Sequence, residues 1–254
     1  MLQIRREQMD VFVSAALDTF ERTMRDHAKA FAPGHCAALG DEGVARVVRL
    51  GLERARTHGF SKRGPARLYI DLMLLLGSDF DTDPQYPWAA EILTDSGTSD
   101  QMRRAELLHR QTLDYVHDVA GPGNAYAKRA LSRALGFTLE ASSIGSEQME
   151  SALLLEMEES YPEKFRYVGT EALRKLMSRA LELAAEHGLP SRRDARVFTA
   201  RSFVLGHGFA SDPQFPWVSS VLIPPQVADP DDRGRRLYVK LMAYLKAAVA
   251  NPRE

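Results

Sequence analysis

Cysteine is almost missing from this chain: Cys36 stands alone among 254 residues. An intrachain disulfide is therefore impossible, and a reducing compartment is the natural setting. An excess of one charge is missing too. With 33 basic and 34 acidic side chains the formal net charge is −1, without the positive surplus on which general nucleic-acid binding rests. No apolar run approaches the roughly 18 residues of a membrane span. Arg5, Arg6, Glu7 and Asp10 near the start do not form a basic stretch followed by an apolar one, so no secretory signal is read there and a cytoplasmic protein is expected.

What the chain does have is an internal repeat. Residues 58–93 recur at 187–222 with a constant offset of 129 and no gap. Of these 36 positions 14 are identical, where roughly two would match by chance. His58-Gly59 maps onto His187-Gly188, and Asp83-Pro84-Gln85-Tyr86-Pro87-Trp88 onto Asp212-Pro213-Gln214-Phe215-Pro216-Trp217, so the only two tryptophans are equivalents.

The hydrophobic period is helical throughout. A long first helix is expected over about Gln3–Lys29, with Met9, Phe12, Val13, Ala16, Leu17, Phe20 and Met24 on one face, stopped by Ala32-Pro33-Gly34. The next, about Asp41–Thr57, has the stripe Val44, Val47, Val48, Gly51, Leu52, Ala55, and its counterpart carries Leu173, Leu176, Met177, Ala180, Leu181, Ala184. His-Gly-apolar follows in both copies and reads as a helix stop. A third helix ends at Gly77 and at Gly206; its first copy is apolar nearly all round and looks central, whereas the second holds Thr199, Arg201 and Ser202. A short helix after the Asp-Pro motif and a fifth over about Gln101–Val119 complete the unit. The expectation is an all-α protein of two tandem pseudo-symmetric repeats, about five helices each, packed into one body. Residues 1–120 form the first repeat, 121–145 a helical connection and 146–254 the second.

Candidate sites are few. Asp83-Pro84 and Asp212-Pro213 suit helix starts, though the helices could instead begin at Pro87 and Pro216; Trp88 and Trp217 would anchor the turn, each indole N–H finding a local acceptor. His58 and His187 belong at helix C-termini, where imidazole can meet free carbonyls. Asp79, Asp81 and Asp83 alternate like the opening of a calcium loop, but Pro84 and Ala90 occupy the positions that need glycine and glutamate. Seven histidines include no His-Glu-x-x-His pair. No catalytic, cofactor-binding or metal residue is assigned. Scaffold roles fall to His58, Gly59, Asp83, Pro84, Trp88, His187, Gly188, Asp212, Pro213 and Trp217. Charge is unevenly placed: residues 46–67 are rich in arginine, and residues 147–163 hold six glutamates and no basic residue. These runs are solvated faces or internal pairs on one reading, a partner surface on the other. The acidic 79–83 loop and the arginine-bearing 192–201 helix differ between the copies as segments, and Asp79, Asp81, Arg192, Arg193, Arg196 and Arg201 within them are the candidates for partner contact.

At Ala66-Arg67-Leu68-Tyr69-Ile70-Asp71-Leu72-Met73, at Gly77 and at Phe80 to Trp88 the chain resembles uncharacterised bacterial proteins found near type VI secretion effectors and other polymorphic toxins. Ile4 to Met9 and His35-Cys36-Ala37-Ala38-Leu39-Gly40 share the resemblance, which covers mainly residues 1–119. It implies a role beside a secreted effector, as immunity protein, chaperone or loading accessory; together with the duplicated scaffold and the lack of a catalytic motif, it makes a non-enzymatic protein that binds an effector or toxin the expectation. The alternatives are an enzyme with a dispersed Asp/His site and a structural subunit.

Overall fold

The computed structural model describes residues 6–136, 149–189, 191–222 and 230–250. Among them are twelve α-helices and no strand: α1 Arg6–Phe31, α2 Pro33–Thr57, α3 Arg63–Leu76, α4 Pro87–Thr94, α5 Gln101–Tyr115, α6 Ala125–Ala134, α7 Met149–Ser160, α8 Pro162–Val168, α9 Thr170–Glu186, α10 Arg192–Leu205, α11 Pro216–Leu222 and α12 Pro230–Ala250. The protein is all-α, as its hydrophobic period requires. A π-helical turn, Val116–Ala120, extends α5. The expected helix start at Gln3, residues 137–145 of the expected helical connection, and the side chains of Met9, Phe12 and Val13 lie outside the described residues.

Local signals place most boundaries. In α2 the N–H of Phe60 donates to Ala55 O at 2.8 Å and that of Gly59 to Arg56 O at 2.9 Å; Leu189 to Ala184 O and Gly188 to Ala185 O repeat this at 2.9 and 3.0 Å. These are Schellman caps, and Gly59 (φ 73°) and Gly188 (φ 69°) supply the left-handed residue they need. The offset of 129 also reaches further back than residue 58. Helix α2 is kinked at Gly40 (φ 68°), so Pro33 opens a short first segment that ends there. Its counterpart is α8, which Pro162 opens and Gly169 (φ 79°) closes. The hydrophobic period alone did not reveal either segment, because each is only about two turns long.

Side-chain burial follows the stripes. Val44, Val47, Val48, Leu52 and Ala55 of α2 are buried, as are Leu173, Leu176, Met177, Ala180 and Ala184 of α9. Gly51 lets α2 approach α3 closely: a Cβ there would lie 2.7 Å from Ile70 Cγ1. One core cluster joins Val47, Ile70, Met73 and Phe80 with Leu153, Met157, Leu173, Ala200 and Phe203 of the later helices. A second gathers around Phe198, Phe209, Phe215 and Leu237. Among the described side chains of α1, Met24 and Ala28 are buried while Leu17 is 42% exposed.

The two equivalent helices α3 and α10 reverse the expectation drawn from their polarity. The apolar α3 leaves Leu75 45% exposed, whereas Val197 to Phe203 of α10 are all buried. Polar residues survive inside α10 because their hydroxyls turn back on the helix: Thr199 Oγ1 donates to Ala195 O at 2.8 Å and Ser202 Oγ to Phe198 O at 3.1 Å.

Candidate functional site

The repeated Asp-Pro-Gln motifs meet each other. Asp83 Oδ1 accepts from the N–H of Gln85 in its own turn at 2.9 Å, and Asp83 Oδ2 from the N–H of His207 across the junction at 2.8 Å. Asp212 does the same with Gln214 at 2.9 Å and Ser78 at 2.8 Å, and adds the Ser78 hydroxyl at 2.6 Å. Gln85 Nε2 donates to Ser202 O at 3.2 Å; Gln214 Nε2 donates to Met73 O at 2.8 Å. Every cross-junction backbone partner is the 129-offset equivalent of its counterpart. The aspartates therefore clasp the two copies rather than cap α4 and α11, which start at Pro87 and Pro216. Burial pushes the Asp212 carboxyl up, against the pull of its Ser78 and Gln214 donors. Burial would lower the His207 imidazole, but its pairing with Asp83 carries it above its ordinary value.

Two glycines allow the contact. A Cβ on Gly77 would stand 3.3 Å from Leu205 O, and one on Gly206 3.3 Å from Leu76 O. Both have positive φ, 102° and 95°. Opposite Asp79 the second copy carries Gly208, where a Cβ would come within 1.8 Å of Asp79 Oδ2. Since Gly208 is the equivalent of Asp79, aspartate in both copies would drive two carboxylates together; the difference between the copies is steric and electrostatic. The tryptophans do anchor their turns, Trp88 being 9% exposed, but neither indole N–H has a hydrogen-bond partner among the described residues, contrary to the local acceptor expected.

Around the first copy's His-Gly corner lies a polar cluster. Asp81 Oδ2 is 2.7 Å from the Tyr69 hydroxyl and 2.9 Å from His58 Nε2. Arg54 pairs with Asp79 at 2.5 Å and donates to Ser78 O. Burial would raise the Asp81 carboxyl, yet the His58 and Tyr69 hydrogen bonds and the Arg54 charge hold it below the usual range. Burial, reinforced by Asp81, pushes the Tyr69 phenol far up. The second copy lacks this cluster, having Leu183, Phe198, Gly208 and Ala210 in those places. Its His187 packs on Phe198 with ring centroids 6.0 Å apart, much as His58 packs on Tyr69 at 5.7 Å. Neither imidazole takes up the helix carbonyls. Arg233 Nη1 does so in the second copy, donating to His187 O at 2.9 Å.

Between the copies lies a cavity of about 310 Å³. The first copy supplies His35, Leu76, Tyr86 and Tyr115; the second supplies Tyr161, Lys164, Leu205, Gln214, Phe215 and Tyr244. His35 and Lys164 are 129-offset equivalents, and each reaches into the other copy. His35 Nε2 is 3.1 Å from Gln214 Oε1. Lys164, 3% exposed, donates to Tyr86 Oη at 3.4 Å and, within its own copy, to Phe203 O at 2.6 Å. Its ammonium lies 5.6 and 5.1 Å from the Tyr86 and Phe203 ring centroids. Burial lowers the Lys164 amine to about 8, with Asp83 pulling the other way. Burial likewise raises the Tyr86, Tyr115 and Tyr161 phenols.

The candidate partner residues fall differently from the sequence reading. Arg192 is exposed, and Arg193 keeps 41% of its side chain accessible beside Asp194. Arg196 pairs with Glu156 at 2.9 Å with only 12% of its side chain exposed, and Arg201 is 3% exposed. Those two, with Asp79 and Asp81, make internal contacts, Asp79 keeping 21% of its side chain exposed. Sequence reasoning did not single out Lys164 or Arg233, and read His35 only beside Cys36. The signal was present, since 35 and 164 differ by 129, but no identical residue marks it. Cys36 is buried, with Sγ 3.3 Å from Ala28 O. Among the described residues no three His, Cys, Asp or Glu side chains gather as a metal site, and no helix is long and apolar enough to cross a membrane. No protein-family model, curated protein or solved structure matches the chain.

Proposed function

We propose that the chain is a non-enzymatic, protein-binding scaffold of two pseudo-symmetric helical halves, cytoplasmic, acting as the immunity or chaperone partner of a secreted effector or toxin. The observation that carries the binding role is an open groove of about 640 Å³ beside α7, lined by Leu155, Glu158, Glu159, Pro162 and Arg133. Leu155 is 55% exposed there, an apolar anchor with an acidic rim. An open face of that make-up fits a segment of a partner bearing an apolar side chain flanked by basic ones. The paired clasp bonds support the pseudo-symmetric reading, and the type VI resemblance supports the choice of partner.

The test is affinity capture of the neighbouring effector with the whole chain, repeated with Leu155→Asp and with the Glu158→Lys, Glu159→Lys double variant. Binding should fall at least tenfold in both while helical circular dichroism is kept, and wild-type retention would sink the α7 assignment. An immunity protein should also rescue cells expressing the toxin, whereas a chaperone should raise effector yield without blocking its activity.

A second reading, an enzyme built on the dispersed acids and histidines, draws support from the convergence of His58, Tyr69 and Asp81. It requires Asp81→Asn to abolish function with partner capture intact, while the scaffold reading requires function to persist.

A further inference from the structure

We propose that the cavity at the junction of the two copies binds a small organic carboxylate with an apolar body, its carboxylate held by the Lys164 ammonium and the Tyr86 hydroxyl. Three observations converge on it. First, Lys164 is buried, and no ion pair involves it among the described residues; its hydrogen bonds are to a carbonyl and a phenol. An ammonium taken out of water without an anion is costly, and methionine would fill the same space without that cost. The missing counter-ion is what an acid ligand supplies.

Second, the two sides of the junction are chemically unequal where their backbones are equivalent. His35 meets the amide oxygen of Gln214. Lys164, its equivalent, turns to Phe203 O instead, and the buried Gln85 Oε1 has no partner among the described residues. The copy that carries lysine also carries Tyr161 where the other has Ala32. The lysine side has been made into a polar pocket, not merely a packed seam.

Third, the remaining wall joins an apolar side to the polar His35 and Gln214, and the space is small. Leu76, Leu205 and Phe215 line it with the two halves' tyrosines, and about 310 Å³ accommodates a ligand of on the order of ten non-hydrogen atoms.

Calorimetric titration of the full chain with benzoate and with hexanoate, each against its uncharged amide, tests this. At least one carboxylate should bind with millimolar or tighter affinity and its amide at least tenfold more weakly. Lys164→Met should lose the carboxylate at least tenfold. The wild type carries its own check, independent of whether the variant folds: affinity should fall between pH 7 and 9.5 as the amine loses its proton. Of the other titratable groups around Lys164, the Tyr86, Tyr115 and Tyr161 phenols are raised by burial and stay neutral there, Asp83 lies behind it paired with His207, and His35 lies across the cavity; Lys164→Met should therefore also abolish the pH dependence. Absence of binding by both acids, equal binding of acid and amide, or affinity independent of both pH and Lys164 would overturn the proposal. None of these outcomes bears on the α7 groove, so the two readings fail separately.

Discussion

Lys164 holds its proton less tightly in the folded chain than outside it. Its amine ionises at about 8 in the fold against an ordinary 10.5, so between those values the unfolded chain binds more protons. Its contribution to stability therefore rises with pH across that window, by about 3 kcal/mol if the whole shift is expressed, whereas that of the raised His207 imidazole is lost as pH rises through its folded value. The buried Tyr86, Tyr115 and Tyr161 act oppositely. Their phenols keep protons longer when folded, so their contribution is lost as pH rises above about 10. Urea midpoints measured from pH 7.5 to 9.5 should climb, and Lys164→Met should flatten the climb and raise stability at pH 7.5. An equal slope in the variant would place the effect elsewhere. Only the fold makes Lys164 special: in the sequence it is one of many basic residues, and its burial arises because α8 presses it between Tyr86 and Phe203.

At the scale of elements, the Asp-Pro-Gln-x-Pro-Trp corner combines two tasks. Its prolines start α4 and α11, and its aspartate and glutamine pair with backbone groups of the opposite copy. Asp212→Ala leaves the buried Ser78 and Gln214 N–H groups without acceptors, and loss of about 2–4 kcal/mol is expected from urea unfolding. Asp83→Ala should cost about as much, and the double variant less than the sum, because each half of the clasp positions the other. Strict additivity would mean that the two halves of the clasp act alone. The corner was legible as a duplicated, rigid turn, because proline, glycine and tryptophan have local meaning. Its partner was not legible, since a carboxylate two residues before an amide explains itself locally as a turn. The arginines of α10 misled for a related reason: charge reads as exposure until Glu156 appears against Arg196.

Over the whole molecule, one core cluster is built from both copies, beside a second that lies within the later copy. Val47 and Met73 belong to the same buried cluster as Leu173 and Phe203, and the clasp crosses between them. The chain should accordingly unfold in one cooperative step. Trp88 and Trp217 offer a built-in assay, one probe in each copy. Single-tryptophan variants, Trp217→Phe and Trp88→Phe, should report far-UV and fluorescence transitions that coincide within each protein. A fluorescence transition displaced from the helical one would reveal halves that melt independently.

By itself the sequence determined the helical class, the repeat and its offset, and the ends of most helices, because period, glycine, proline and capping act over a few residues. The tertiary structure alone decided which equivalents face one another. At the junction each copy meets its own counterpart, so Gly77 must lie against Gly206, Asp79 must find Gly208 and not a second carboxylate, and His35 and Lys164 must reach across. Burial, and with it the charge state of Lys164, follows from that meeting and from nothing within a few residues of it.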